Sequence, residues 1–162
     1  MDIRICYMSL TDIDSVCELD STMEEDALED SVLRAMLSCP SMSLIRLIAL
    51  DDYGELLGYA IGSFEEDYTQ LIRIVVPPSE DTESVACWLI HGIKELSGGI
   101  TCRVVAHAAK TDDALIDVLK QSHFHIVEMT DADTYQLESP VDKGGEVIDS
   151  IMFGDSRTVI DF

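Results

Sequence analysis

The sequence predicts an α/β (α+β) fold, a mixed central sheet of about six to seven strands with helices on both faces. Three observations carry this. Residues 69–96 read as a buried strand that feeds a helix through a short loop. Residues 44–64 read as two strands joined by Asp51-Asp52-Tyr53-Gly54, which is hairpin turn chemistry. Around them the apolar periodicity alternates in the order β-α-α-β-β-β-α-β-α-β-β.

Ile3-Arg4-Ile5-Cys6-Tyr7 alternates and gives the first strand. Thr11 is the candidate N-cap of a helix, with Asp14 three residues on in the acidic version of a capping box. Ile13, Val16, Cys17 and Leu19 form that helix's apolar side. A second helix is expected over residues 24–37, with Ala27, Leu28, Leu33, Ala35, Met36 and Leu37 as its apolar residues and Cys39-Pro40 ending it. Residues 44–50 and 56–64 are the hairpin strands, and Gly58 and Gly62 predict a bulge or the close approach of another group. In the central strand, residues 69–76, the apolar run from Leu71 to Val76 is broken only by Arg73, which suits a strand covered on both faces. Pro77 and Pro78 lack N–H donors and stop it. Thr82 or Ser84 can cap the next helix, and Asp81 and Glu83 suit its positive end. Val85, Leu89 and Ile93 recur on one face, with Trp88 and Leu96 close to it. Ser97-Gly98-Gly99 stops this helix. A fifth strand follows over 100–106. Another helix starts at Thr111-Asp112-Asp113 with Ala114, Leu115, Val118 and Leu119 inward, and strands follow over 126–129 and 135–138. Residues 1–138 are read as one domain. Residues 139–162 are a C-terminal extension, a Pro/Gly linker followed by candidate strands at 147–153 and 158–162.

A chain of 162 residues, 47% apolar, can bury a full core. It shows no apolar run long enough for a membrane span and no signal-peptide pattern, so a cytoplasmic location is expected. Five cysteines lie singly with no C-x-x-C pair, the pattern of reduced thiols. His91, His107, His123 and His125 do not fall at ligand spacing with them, and no metal is expected. Acids outnumber Lys plus Arg by 32 to 10, a net charge of −22. That disfavours nucleic acid and anionic membranes as partners and favours a small cationic amine or a basic protein segment. Solubility, or a salt-rich cytoplasm, accounts for the same charge.

Four groups of residues, taken in order, resemble the GNAT family of acyl-CoA-dependent N-acetyltransferases, within it the RimI-type and amino-terminal acetyltransferases, over about residues 1–138. They are Ile3, Arg4 and Asp12 at the start, Leu57-Gly58-Tyr59-Ala60 in the hairpin, Val76-x-Pro78 before a helix, and Ser122-His123-Phe124 where the family has Leu-Gly-Phe. The resemblance implies acetyl-CoA at a splay between the fourth and fifth strands. Ile74, Val75 and Val76 would line it, and Asp81, Thr82, Ser84, Val85 and Ala86 would lie in the pyrophosphate loop, with Asp112 at the position of a cofactor-contacting asparagine.

This chain departs from the family pattern at chemically important places. Asp81 stands where the loop has Arg or Gln, and Ser84 where it has Gly. At about 4 Å and an effective dielectric near 20, one like-charge contact costs on the order of 4 kcal/mol before screening. His107 occupies the position of the family's glutamate base, and histidine can serve as a base near neutral pH. Leu119 replaces the tyrosine acid and cannot donate a proton. Tyr68, Tyr135 and Cys87 are the candidate substitutes. Two readings follow. One is an N-acetyltransferase acting on a cationic amine (a polyamine, an aminoglycoside or a basic protein terminus) with weakened acetyl-CoA binding. The other is a catalytically inactive binding or regulatory module, or a complex subunit, whose C-terminal tail could join a partner or a second copy.

Overall fold

The computed structural model describes residues 2–141. Its strands are β1 (Arg4–Tyr7), β2 (Leu44–Leu50), β3 (Leu56–Phe64), β4 (Tyr68–Val75), β5 (Arg103–Ala109), β6 (His125–Asp131) and β7 (Thr134–Pro140). They form one seven-stranded sheet in the order β1-β2-β3-β4-β5-β7-β6. The β4–β5 pair is parallel and the other neighbours are antiparallel, so the sheet is mixed as expected.

The helices are α1 (Ile13–Ser21), α2 (Asp30–Ser38), α3 (Thr82–Ser97) and α4 (Asp113–Gln121). Strand alternation gives the sheet two apolar faces. Leu47 and Ala49 face the core under α3 and α4, while Ile48 and Leu50 face the core under α1 and α2. Val85, Ala86, Leu89, Ile90, Ile93 and Leu96 recur at helical spacing and bury α3 against the first of these cores. Burying each large aliphatic side chain contributes about 1.5–3 kcal/mol. Trp88 points off that face and is 41% exposed, contrary to its expected place close to it.

Several boundaries differ from the sequence expectation, each for a local reason. The entry to α1 is a 3-10 turn at Leu10–Asp12, and the Asp12 carboxylate reaches back to accept from the Ser9 N–H at 2.8 Å, so Ser9 and Asp12 take the roles expected of Thr11 and Asp14. The helix expected over 24–37 is broken into a 3-10 turn at Glu24–Asp26 and α2, because the Leu28 N–H donates to the Asp20 carboxylate. Neither Thr82 nor Ser84 caps α3; Asp81 holds the N-cap position and Thr82 is its first helical residue. The turn after α3 runs on through Thr101, whose N–H bonds the Ser97 carbonyl, so β5 starts at Arg103 and not at 100. In α4, Ala114 faces solvent. The candidate strands at 147–153 and 158–162 lie outside the described residues.

Two glycine questions have structural answers. At Gly58 a Cβ would lie 2.8 Å from the Val75 carbonyl oxygen, so β3 and the end of β4 approach closely. His123, in the Ser122-His123-Phe124 stretch, has φ of +69°, the left-handed conformation that favours glycine after a helix. We expect Gly58→Ala to destabilise the chain by about 1–3 kcal/mol through overpacking. His123→Gly should leave it equally stable or up to about 1 kcal/mol more stable. Urea unfolding measures both.

Candidate functional site

The sheet is closed at one end of the β4–β5 pair and open at the other. Register is kept only at Tyr68–Arg103, Thr69–Val104 and Gln70–Val105. Buried hydroxyls pin this closed end. Thr69 Oγ1 lies 2.7 Å from Ser97 Oγ and 2.8 Å from Thr101 Oγ1, tying β4 to the end of α3 and the turn that follows. Immediately beyond, Gly62 of β3 pairs with Leu71 while Ile61 pairs with Arg73, so Ile72 is an extra residue. A bulge of this kind bends its strand and raises the local twist. The far half of β4 leaves β5, and a wedge of about 180 Å³ opens between residues 71–74 and Ala106, His107 and Leu115. The β5-facing polar groups of β4 past Gln70 find no ladder partner there.

The bulge also changes which way side chains point. Thr69 and Leu71 face the α3 side; regular alternation would send Arg73 there too. With Ile72 extra, Arg73 and Val75 face α1 and α2. There Arg73 Nη2 meets Asp20 Oδ1 at 2.7 Å and donates to the Asp26 carbonyl at 2.7 Å. Arg73 Nε lies 2.9 Å from both Asp20 Oδ1 and the Tyr59 hydroxyl, and that hydroxyl donates to Asp20. Asp20 and Tyr59 are buried. Burial pushes the Asp20 carboxyl up, but the hydrogen bonds from Tyr59, the Leu28 N–H and Arg73, with the Arg73 charge, outweigh it and hold it below the usual range. Burial and the bond to Asp20 push the Tyr59 hydroxyl far up. The signal for this network was present in the sequence as an arginine inside an apolar strand, which needs a buried acid partner. Asp20 and Tyr59 were not singled out by that reasoning.

Of the expected site residues, His107 and Ile74 line the wedge together. His107 lies within β5, exposed, with Nδ1 3.1 Å from Gln70 Nε2. Gln70 Nε2 is also 3.3 Å from the Leu71 carbonyl, which orients the amide nitrogen toward the ring. On that assignment Nδ1 accepts and the neutral ring carries its proton on Nε2. Val75 is buried in the α1–α2 core, and Val76 follows the strand. Val85 and Ala86 are buried under α3, so they could meet a ligand only through their backbone.

The loop before α3 satisfies part of itself. Thr82 Oγ1 accepts from the Ser79 N–H at 2.6 Å and donates to the Pro77 carbonyl at 2.9 Å; Ser79 Oγ accepts from the Asp81 N–H at 3.1 Å. Helix geometry leaves the N–H groups of Thr82, Glu83 and Ser84 without intrahelical acceptors. The carboxylates expected to cap them do not. The Asp81 side chain makes no cap bond, and Glu83 is held by the Gln121 amide of α4. Asp112 caps α4, its Oδ1 accepting from the Leu115 N–H at 3.2 Å. β4 and β5 being parallel, the wedge, the α3 start and the α4 start share one end of the sheet.

Leu119 is fully buried. Among the substitutes for its missing hydroxyl, Tyr68 pairs with Arg103 at the closed end, away from the wedge. Tyr135 pairs with Ala108 toward the open end. Cys87 lies on α3 beside Gln121, and burial pushes its thiol up. No group of three or more His, Cys, Asp or Glu among the described residues could hold a metal ion. No described helix is long and apolar enough to cross a membrane.

No protein-family model matches the chain, and no curated protein sequence matches it either. Solved structures do. The ribosomal-protein-S18-alanine N-acetyltransferase from Escherichia coli superposes with a TM-score of 0.72 at 14% identity, over 90% of this chain and 97% of that one. The spermidine N-acetyltransferase from Vibrio cholerae, solved with CoA and spermine, gives 0.71 at 13% identity over 87% and 96%. A GNAT superfamily phosphinothricin acetyltransferase from Sinorhizobium meliloti, solved with AcCoA, gives 0.72 at 16% over 90% and 91%. The chain therefore has the GNAT fold.

The Asp20–Arg73 pair yields a prediction with a sign. Because the folded-state carboxyl is held below its ordinary value, its stabilisation is complete above about pH 4 and is lost as pH falls through the depressed value. Asp20→Asn should cost about 3–5 kcal/mol at neutral pH, since it strands the Arg73 charge. Between pH 5 and 3 it should lose less further stability than the parent chain, which urea unfolding across that range would show.

Proposed function

We propose that the chain is an N-acetyltransferase that takes acetyl-CoA into the β4–β5 wedge and transfers the acetyl group to a cationic amine. The observation that carries this is the wedge itself. Its lining mixes the apolar Leu71, Ile72, Ile74, Ala106 and Leu115, which suit an acyl-pantetheine arm, with Arg73 and His107, and past Gln70 the β5-facing backbone of β4 has no ladder partner. The ammonium first loses a proton, the neutral nitrogen attacks the thioester carbonyl, the C–S bond breaks, and CoA leaves as the thiolate, which can take the second proton released from nitrogen. A β4 N–H faces the carbonyl oxygen as it gains charge. The first of these protons, lost from the ammonium before attack, goes to water or to His107. With Gln70 as oriented, His107 accepts it only after the amide turns and frees Nδ1. The solved relatives with CoA or AcCoA bound support the cofactor, and the net charge of −22 supports a cationic acceptor such as a polyamine or a basic protein terminus.

The pyrophosphate would meet the first turn of α3, where free N–H groups favour it and Asp81, Glu80 and Glu83 oppose it. Weak acetyl-CoA binding follows, relieved by salt. A second reading, a GNAT-fold module without catalysis, is favoured by one set of observations: Leu119 is buried in the acid's place and His107 Nδ1 is engaged by Gln70.

Calorimetric titration with acetyl-CoA distinguishes them. At molar salt, where the screening length falls to about 3 Å, we expect micromolar binding, and weaker binding at about 0.1 M. Asp81→Asn should tighten the low-salt value by about threefold to tenfold and change the high-salt value little. Absence of heat at both salts would remove the enzyme reading. Binding without turnover of any amine would leave the non-catalytic module.

A further inference from the structure

We propose that Glu128 of β6 selects the acceptor, holding the second ammonium of a linear diamine whose first nitrogen reacts at the wedge. This rests on the N-acetyltransferase reading above. The α1–α2 core draws on β1 to β4, and no residue of β5, β6 or β7 belongs to it. Among the described residues, that face of β5, β7 and β6 is left without a helix. Ala106 and Ala108 point into the α3–α4 core, so His107 between them stands on the open face, exposed, beside the wedge.

Cross-strand register leads from His107 to Glu128. His107 pairs with Gln136 of β7, and Gln136 pairs with Glu128. Directly paired residues share a face of the sheet. A bulge brings Glu128 there. Ile126 pairs with Leu137, which is buried in the α3–α4 core, and Val127 is extra, so Glu128 turns away from that core. A strand spacing of about 4.8 Å puts β6 about 10 Å from β5 along this row.

The charges on this face favour a cation at Glu128. Its carboxylate is exposed and has no hydrogen-bond or ion-pair partner among the described residues. The Gln136 amide is turned toward Glu138, with Nε2 3.2 Å from Oε1. Asp131, paired with Thr134 one row further toward the open end, adds negative charge. The neighbouring cations are engaged elsewhere. Arg103, toward the closed end, has Nε 3.4 Å from Glu138 Oε1 and Nη2 3.8 Å from Asp67 Oδ2. Arg73 is held by Asp20, and Lys110 lies over the Tyr135 ring on the α3–α4 side. His125 shares the open face and pairs with Glu138. A nitrogen reacting at the wedge and an ammonium at Glu128 are thus about 10 Å apart. By standard bond lengths, extended 1,8-diaminooctane spans about 11 Å between its nitrogens and 1,4-diaminobutane about 6 Å.

The test compares octylamine, 1,8-diaminooctane and 1,4-diaminobutane as acceptors. One acetyl-CoA concentration and about 0.1 M salt are used throughout, so cofactor binding cancels in each ratio. We expect kcat/KM to be highest for 1,8-diaminooctane. Glu128→Gln should lower that value about threefold to fivefold through KM, leaving kcat and octylamine turnover unchanged. Glu66→Gln, which removes one exposed charge in the turn before β4, should change none of the three. Equal losses with octylamine, or with Glu66→Gln, would overturn the proposal, since the acidic surface as a whole would then be acting. Turnover of no amine would instead remove the enzyme reading. Amide shifts with 1,8-diaminooctane alone then decide the diamine site. Shifts centred on His107, Gln136 and Glu128 that Glu128→Gln abolishes uphold it, and shifts spread over the acidic surface overturn it.

Discussion

An arginine on a central strand must find an acid or leave the interior, and the answer given to Arg73 shapes this structure. Asp20 from α1, Tyr59 from β3 and the Asp26 carbonyl from the α1–α2 connection converge on one guanidinium. That convergence holds the helical layer of α1 and α2 to the sheet. It also requires Arg73 to face that layer, and a regular β4 would turn it to the other side. The bulge at Ile72 makes the reversal, and the same bulge carries β4 away from β5. A buried ion pair and an open wedge are thus two consequences of one extra residue.

The wedge is bounded by opposite devices at its two ends. Three buried hydroxyls, Thr69, Ser97 and Thr101, hold the strands together at one end, where slippage would unpair the register. At the other end the strands diverge toward the starts of α3 and α4. Backbone donors there are in the right place for an anionic group, while the side chains nearest them are acidic. Glu83 is drawn aside by Gln121 and so does not neutralise the helix end. Asp81 stays exposed at the N-cap without capping. The electrostatics at this end therefore depend on ionic strength more than those of the ion pair under β4, which is shielded from solvent.

Most of the sheet was legible because its signals are local. The hairpin of β2 and β3 matches the expected ranges, residues 44–50 and 56–64, since Asp51-Asp52-Tyr53-Gly54 marks the turn and the flanking strands are nearly continuous in apolar residues. The α3 stripe from Val85 to Leu96 was equally plain, apart from Trp88. What failed to show was set by distant partners. The break before α2 comes from an Asp20 carboxylate eight residues upstream of the Leu28 it accepts from. The later start of β5 comes from a turn closed on Ser97. The bulge at Ile72 leaves no mark in a run that reads as a regular strand. His107 and Ile74 both line the wedge, whereas Gln70, which lies against the His107 ring, carried no signal because its partner is 37 residues away.

The central claim is that the unpaired half of β4 receives an acyl-CoA thioester. Amide chemical-shift mapping tests it at the residues concerned. With acetyl-CoA added at molar salt, the account predicts the largest shifts at the backbone N–H groups of Ile72 through Val76 and at the first turn of α3. The β1–β2 pair should be unaffected. Shifts confined to other surfaces, or none at saturating ligand, would contradict it.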